Sequence, residues 1–224
     1  EVLSHELMFY DTQPAKLLGL KDEFLASARL DNLLSCFLAC EALCDSPVTH
    51  TSIVVCNDHE EVGSVSTSGA QGPLLRSVVD RLLGSVGAEA DGFDRLISQS
   101  AMLSIDNAHG IHPNFIDRHD DKHGPLLNKG PVIKVNANQR YASNSHSVAL
   151  FKSLCMKVGV TPQLFAMRAD MACGSTIGPI TSASLGIETV DVGVPTFGMH
   201  SIRELAGSDD APALAKVVAA FFAR

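Results

Sequence analysis

The sequence predicts an α/β fold: a three-layer sandwich with helices on both sides of a largely parallel central sheet. Three observations predict it. Apolar residues recur at helical spacing in several segments, and short continuously apolar runs stand between those segments. The chain, with 224 residues of which 46% are hydrophobic, is also long and apolar enough to bury both faces of a sheet.

The elements follow in order. Leu30, Leu33, Leu34, Phe37 and Leu38 take the i, i+3, i+4, i+7, i+8 spacing of a helix with one buried face. Ile53-Val54-Val55-Cys56 reads as a buried strand. Residues 71–84 and 91–100 carry Leu and Val at helical intervals between charges. Met102–Ile105 and Pro131–Val135 read as two further strands, residues 144–157 as a helix, and Leu164–Met167 as a short strand. Thr189–Val194 is the last strand and Ala211–Phe222 a closing amphipathic helix. Two stretches break the rhythm. Residues 107–130 hold His109, His112, His119 and His123 without apolar period and read as a long loop. Residues 172–184 read as a second loop, small and glycine-rich.

Composition excludes several classes. With 17 Lys+Arg against 25 Asp+Glu and a net charge of −8, the chain lacks the basic face of a nucleic-acid binder. No apolar run approaches the ~20 residues of a membrane helix, and no export signal is visible. The six cysteines contain no C-x-x-C pair. In a large apolar chain they read as reduced thiols, which implies the cytoplasm. Cys36, Cys40 and Cys44 recur along one side of the first helix and read as core packing.

Four polar positions fall where α/β proteins build sites, at strand ends and the loops beside them. Asp31 opens the first helix, and Glu60 and Glu61 follow the strand ending at Cys56. Asp106 ends the strand Leu103–Ile105, and His200 follows the last strand. Singly, each has a plain structural role: a cap, a solvated acid, a hydrogen-bonded imidazole. Together they supply the carboxylate and imidazole ligands that Zn²⁺ accepts, with one carboxylate to spare as a proton shuttle.

The stretches carrying these residues resemble one family. They are Tyr10-Asp11-Thr12-Gln13-Pro14, Ala28-Arg29-Leu30-Asp31-Asn32-Leu33, Asn57-Asp58-His59-Glu60-Glu61-Val62-Gly63-Ser64 and Asp106-Asn107-Ala108-His109-Gly110-Ile111-His112-Pro113-Asn114. Gly130-Pro131-Val132-Ile133-Lys134, Cys173-Gly174-Ser175-Thr176-Ile177-Gly178-Pro179 and Met199-His200-Ser201-Ile202-Arg203-Glu204 continue them in order. The sequence resembles the aspartyl aminopeptidases, cytoplasmic two-metal exopeptidases with a phosphorylase/hydrolase-like zinc peptidase fold.

The resemblance implies two Zn²⁺ ions, with Mn²⁺ or Co²⁺ as possible substitutes. It makes Asp31 the bridging ligand, Glu61 and His200 ligands of one metal, Asp106 a ligand of the other, and Glu60 the general base. It sets His109, Lys134, Gly174 and Gly178 against a peptide substrate with an acidic N-terminal residue, in a homo-oligomer. One departure matters. The family's second metal takes an imidazole from a His-Thr-Asp-type motif upstream of the bridging Asp, and no such motif precedes Asp31. His5, in the strand-like Ser4–Met8, reads as an ordinary strand residue. The family's β-rich dimerisation domain is also missing, so residues 1–224 are expected to be the C-terminal portion of the catalytic domain. Two other readings stay open: a non-catalytic metal-binding or assembly module, and a related amidohydrolase acting on another amide.

Overall fold

The computed structural model describes every residue of the chain except residue 48. Among the described residues, two mixed sheets and six α-helices make an α/β architecture. The first strands, β1 (Lys16–Leu18) and β2 (Phe24–Ser27), form a hairpin and lead into α1 (Leu30–Asp45). Helices α2 (Leu74–Ser85) and α3 (Gly92–Ser98) follow, then β3 (Ala101–Ile105), β4 (Ala108–His109), β5 (Val132–Val135) and α4 (Ser145–Lys157). The chain closes with β6 (Gln163–Ala166), α5 (Ile177–Leu185), β7 (Glu188–Gly193), β8 (Pro195–Phe197), β9 (Glu204–Gly207) and α6 (Asp210–Phe222).

The central sheet runs β3-β7-β5-β6. β3 pairs parallel with β7 and β5 with β6, while β5 and β7 are antiparallel. Alternation along β7 sets the layers. Val190 and Val192 face the main core with Phe151, Leu154 and Cys155 of α4 and with Leu214, Val217 and Val218 of α6. Asp191 faces the other way, toward the segment entering α5. α4 is held at its start by a capping box between Asn144 and Ser147. Fully burying a side chain such as Phe151 contributes about 1.5–3 kcal/mol.

A second sheet, β1-β2-β9-β8-β4, is mostly antiparallel. It joins the first because β3 and β7 continue into β4 and β8. The Asp106 N–H donates to the Val192 carbonyl (2.9 Å) and the Ala108 N–H to the Val194 carbonyl (2.9 Å). Gly193 is required at this crossing, since a Cβ there would collide with the Asp106 carbonyl.

Several expectations are corrected. Ile53–Cys56 pairs with no described strand; apolar residues make a ladder only where a partner backbone lies beside them. Residues 172–184 are not all loop, because α5 begins at Ile177 and Pro179 sits in its first turn, where proline is tolerated. Within 107–130, β4 and a 3-10 stretch at Pro113–Arg118 replace part of the loop. Residues 4–8 form no strand and lie exposed. On α1 the buried stripe is Leu30, Ser35, Leu38 and Ala42, whereas Leu33 and Phe37 are exposed. Cys40, Cys44 and Cys56 are exposed rather than core; of the six free thiols Cys155 is the buried one.

Among the described residues no helix is long and apolar enough to cross a membrane.

Candidate metal centre

The antiparallel pair β2–β9 builds one wall of the site. Its end pair is Ser27 opposite Glu204. Beyond Ser27 the chain turns through Arg29, in left-handed backbone (φ 57°), and reaches Asp31, whose backbone is not yet helical. Ahead of Glu204 the loop from β8 carries His200, also left-handed (φ 67°). Asp31 and His200 thus lie past the same end of one strand pair. The third residue, Glu61, comes on a 3-10 turn at Glu60–Val62, entered through left-handed His59.

These three side chains converge. Asp31, Glu61 and His200 each offer a ligand atom, all within 4.8 Å of one another. The His200 Nε2 lies 3.2 Å from Asp31 Oδ2 and 2.9 Å from Glu61 Oε2. Asp31 is deeply set, its side chain 3% exposed, and its Oδ1 has no hydrogen-bond partner. A buried oxygen without a partner beside two further donors is what a cation would satisfy.

Asp106, at the end of β3, stands against Asp31 from the other side. Asn32 Nδ2 donates to Asp106 Oδ1 (3.1 Å), and Lys134 Nζ donates to Asp106 Oδ2 (3.1 Å) and to the Asn107 carbonyl (3.0 Å). Lys134 is 2% exposed, so its ammonium is turned inward. Burial alone would raise the Asp106 carboxyl; Lys134 and the bonds from Asp31, Lys134 and the Asn107 N–H override it and hold it below the ordinary carboxylate range. Asp31 goes the opposite way, up to about 9, through burial first and then the neighbouring Asp106, Glu61 and Glu204.

Glu60 is half-buried beside them. Burial, then Asp106 and Glu61, push its carboxyl up to about 7 against the pull of Lys134 and His200. His109 stands on β4 at the edge of the group; packing, then the Lys134 charge, hold its imidazole below the usual range. Gly174 is open to solvent, and Gly178 lies in the first turn of α5 with its Cα against the Asp191 carboxylate. Asp191, fully buried, accepts from Ser104 Oγ, Thr176 Oγ1 and the Ala142 N–H, each at 2.6 Å. It ties that loop to the sheet. A separate cleft of about 950 Å³ between residues 135–152 and 164–173 contains none of Asp31, Glu61, Asp106 or His200.

Asn32 and Asp191 were not singled out by sequence reasoning. Asn32 had a visible signal, since it follows Asp31 directly; Asp191 had none, being one acid inside an apolar strand.

Carboxylates and an imidazole gathered at strand ends of an α/β fold, with an extra carboxylate beside them, form a donor set that suits a divalent cation such as zinc. The chain belongs to the M18 family: residues 1–222 match the family described as aminopeptidase I zinc metalloprotease. It is 58% identical over 221 residues to a probable M18 family aminopeptidase 2 of Ectopseudomonas mendocina, covering 99% of this chain and 51% of that protein. A protein of the same name from Pseudomonas savastanoi pv. phaseolicola is 58% identical over 222 residues, with the same coverage. The chain thus spans about half the length of the curated relatives it matches. Among solved structures, one of an Ape4 and Nbr1 complex superposes with a TM-score of 0.91 at 41% identity, covering 95% of this chain and 42% of that one. The S. cerevisiae mApe1 dodecamer superposes with a TM-score of 0.83 at 31% identity, covering 95% and 49%.

Proposed function

We propose that this chain carries the metal centre of an aminopeptidase that removes acidic N-terminal residues, Asp or Glu, from peptides. The observation that carries the reading is the convergence of Asp31, Glu61 and His200 within 4.8 Å around an unpartnered carboxylate oxygen. These residues would hold one zinc, and Asp31 with Asp106 would contribute to a second. When bound, zinc supplies Lewis acidity that polarises a peptide carbonyl and makes water a nucleophile near neutral pH.

The chain's own residues do the rest. Glu60 takes the proton of the attacking water and returns it to the departing amine. Lys134, paired with Asp106, keeps that carboxylate ionised. His109, at the edge of the group, donates to the substrate. The backbone around Gly174 and Gly178 offers N–H groups to the peptide. Residues 1–224 are read as the C-terminal portion of the catalytic domain, with one ligand of the second metal coming from elsewhere in the protein. The free thiols support a cytoplasmic location. The described mApe1 dodecamer supports a homo-oligomer.

The test is metal content by plasma mass spectrometry on the intact protein, alongside release of Asp, Glu and neutral residues from otherwise identical peptides. Zinc with preferential release of acidic residues is expected. Turnover that favours neutral residues would point to another amide substrate. Zinc without turnover would leave a non-catalytic metal-binding module.

A further inference from the structure

Glu204 is nearly fully buried, 2% exposed, and it belongs to no ion pair among the described residues. Both of its carboxylate oxygens are used, and each goes to a different segment. Oε2 accepts the backbone N–H of Asp31 at 2.8 Å, and Oε1 accepts the backbone N–H of His200 at 2.8 Å. The two residues are far apart in sequence, and neither has regular helical or strand backbone. The Asp31 N–H is one of the donors that a helix leaves free at its start. The His200 N–H lies in a left-handed turn with no ladder partner.

We propose that Glu204 is the positioning residue of the metal centre: one buried carboxylate that sets the spacing of Asp31 and His200 by clamping their backbones. This rests on the reading of those two residues as metal ligands. The register explains why one side chain reaches both. Ser27 and Glu204 are the last pair of the β2–β9 ladder, Asp31 lies four residues beyond Ser27, and His200 four residues before Glu204. Charge-assisted bonds to N–H groups are about twice as strong as neutral ones, and ligands held this way lose less freedom when a cation binds. A Gln at 204 has the same shape, but its NH₂ would meet one of the two amides donor to donor and open that side of the clamp.

Asp210 provides a matched control. It is equally buried and accepts the backbone N–H groups of Asn128 and Gly130, none of which belongs to the centre. Zinc affinity of the intact protein is measured by competition with a chromophoric chelator for the native chain, Glu204→Gln, Asp210→Asn and Asp31→Ala, with thermal melting of each metal-free protein. The expected result is that Glu204→Gln and Asp210→Asn both lower the metal-free melting temperature, while only Glu204→Gln weakens zinc binding, by about tenfold or more. Unchanged zinc affinity in Glu204→Gln, or an equal loss in Asp210→Asn, overturns the proposal while leaving the metal reading standing. A native chain that binds zinc no better than Asp31→Ala overturns both. Should Glu204→Gln not fold, hydrogen exchange on the native protein decides: peptides carrying the Asp31 and His200 amides should be protected without zinc, and rapid exchange there refutes the clamp.

Discussion

Replacing Lys134 with Met keeps the length of the side chain and removes the one charge buried against Asp106. The ammonium lies 3.1 Å from Asp106 Oδ2 and 3.0 Å from the Asn107 carbonyl, and the two side chains are 2% and 15% exposed. At 3.1 Å and an effective dielectric of ~20, the attraction is about 5 kcal/mol. Stranding one member of a buried pair costs about 3–5 kcal/mol. We therefore expect Lys134→Met to destabilise the metal-free protein by about 4 kcal/mol, lowering its melting temperature by about 8–16 °C for a chain of this size. Removing both charges, in Lys134→Met/Asp106→Asn, should recover a substantial part of that loss. Thermal and urea denaturation in chelator, analysed as a double-mutant cycle, measure both quantities. A loss below about 1 kcal/mol, the range of an exposed pair, would refute the argument. So would a double variant no more stable than the single one.

Three further outcomes are expected. Glu60→Gln should cut peptide turnover by about 10²–10⁴-fold with zinc content unchanged; a parallel loss of zinc would make Glu60 a ligand instead of a base. Zinc at about a hundred times its dissociation constant should stabilise the native protein by about 2.7 kcal/mol, about 5–11 °C in melting temperature. Asp31→Ala should abolish that shift, and a shift that survives it would point to zinc bound elsewhere. Cys155 is fully buried and burial pushes its thiol up to about 12, so maleimide near neutral pH should leave it unmodified until the chain unfolds. Peptide mapping that finds it labelled in the native protein would contradict the packing of α4 on β7.

The long elements were legible in the sequence because their pattern matches their burial. α4 and α6 each carry apolar residues at helical spacing, and β5 and β7 are short, mostly β-branched runs that become buried strands. The short strands were not. β1, β8 and β9 have three or four residues each, with polar residues, Gly or Pro among them, and too few positions for any period to emerge. α5 was hidden by its Gly, Ser, Thr and Pro content; its start is decided by Thr176 bonding Asp191 rather than by propensity.

The candidate site divides the same way. Chemistry belongs to side chains, so the residue types at Asp31, Glu60, Glu61, Asp106 and His200, met in order along the chain, already point to metal-assisted hydrolysis. Direction and distance do not belong to side chains alone. That Lys134 turns inward to Asp106, that Ile53–Cys56 lacks a ladder, and that Leu33 and Phe37 stay exposed depend on which backbones lie alongside. Glu204 states the case most clearly: it lies four residues from one proposed ligand in sequence, and only the β2–β9 register brings its other oxygen to the amide of Asp31. A single sequence records what each residue can donate or accept; the pairing of distant strands decides to whom.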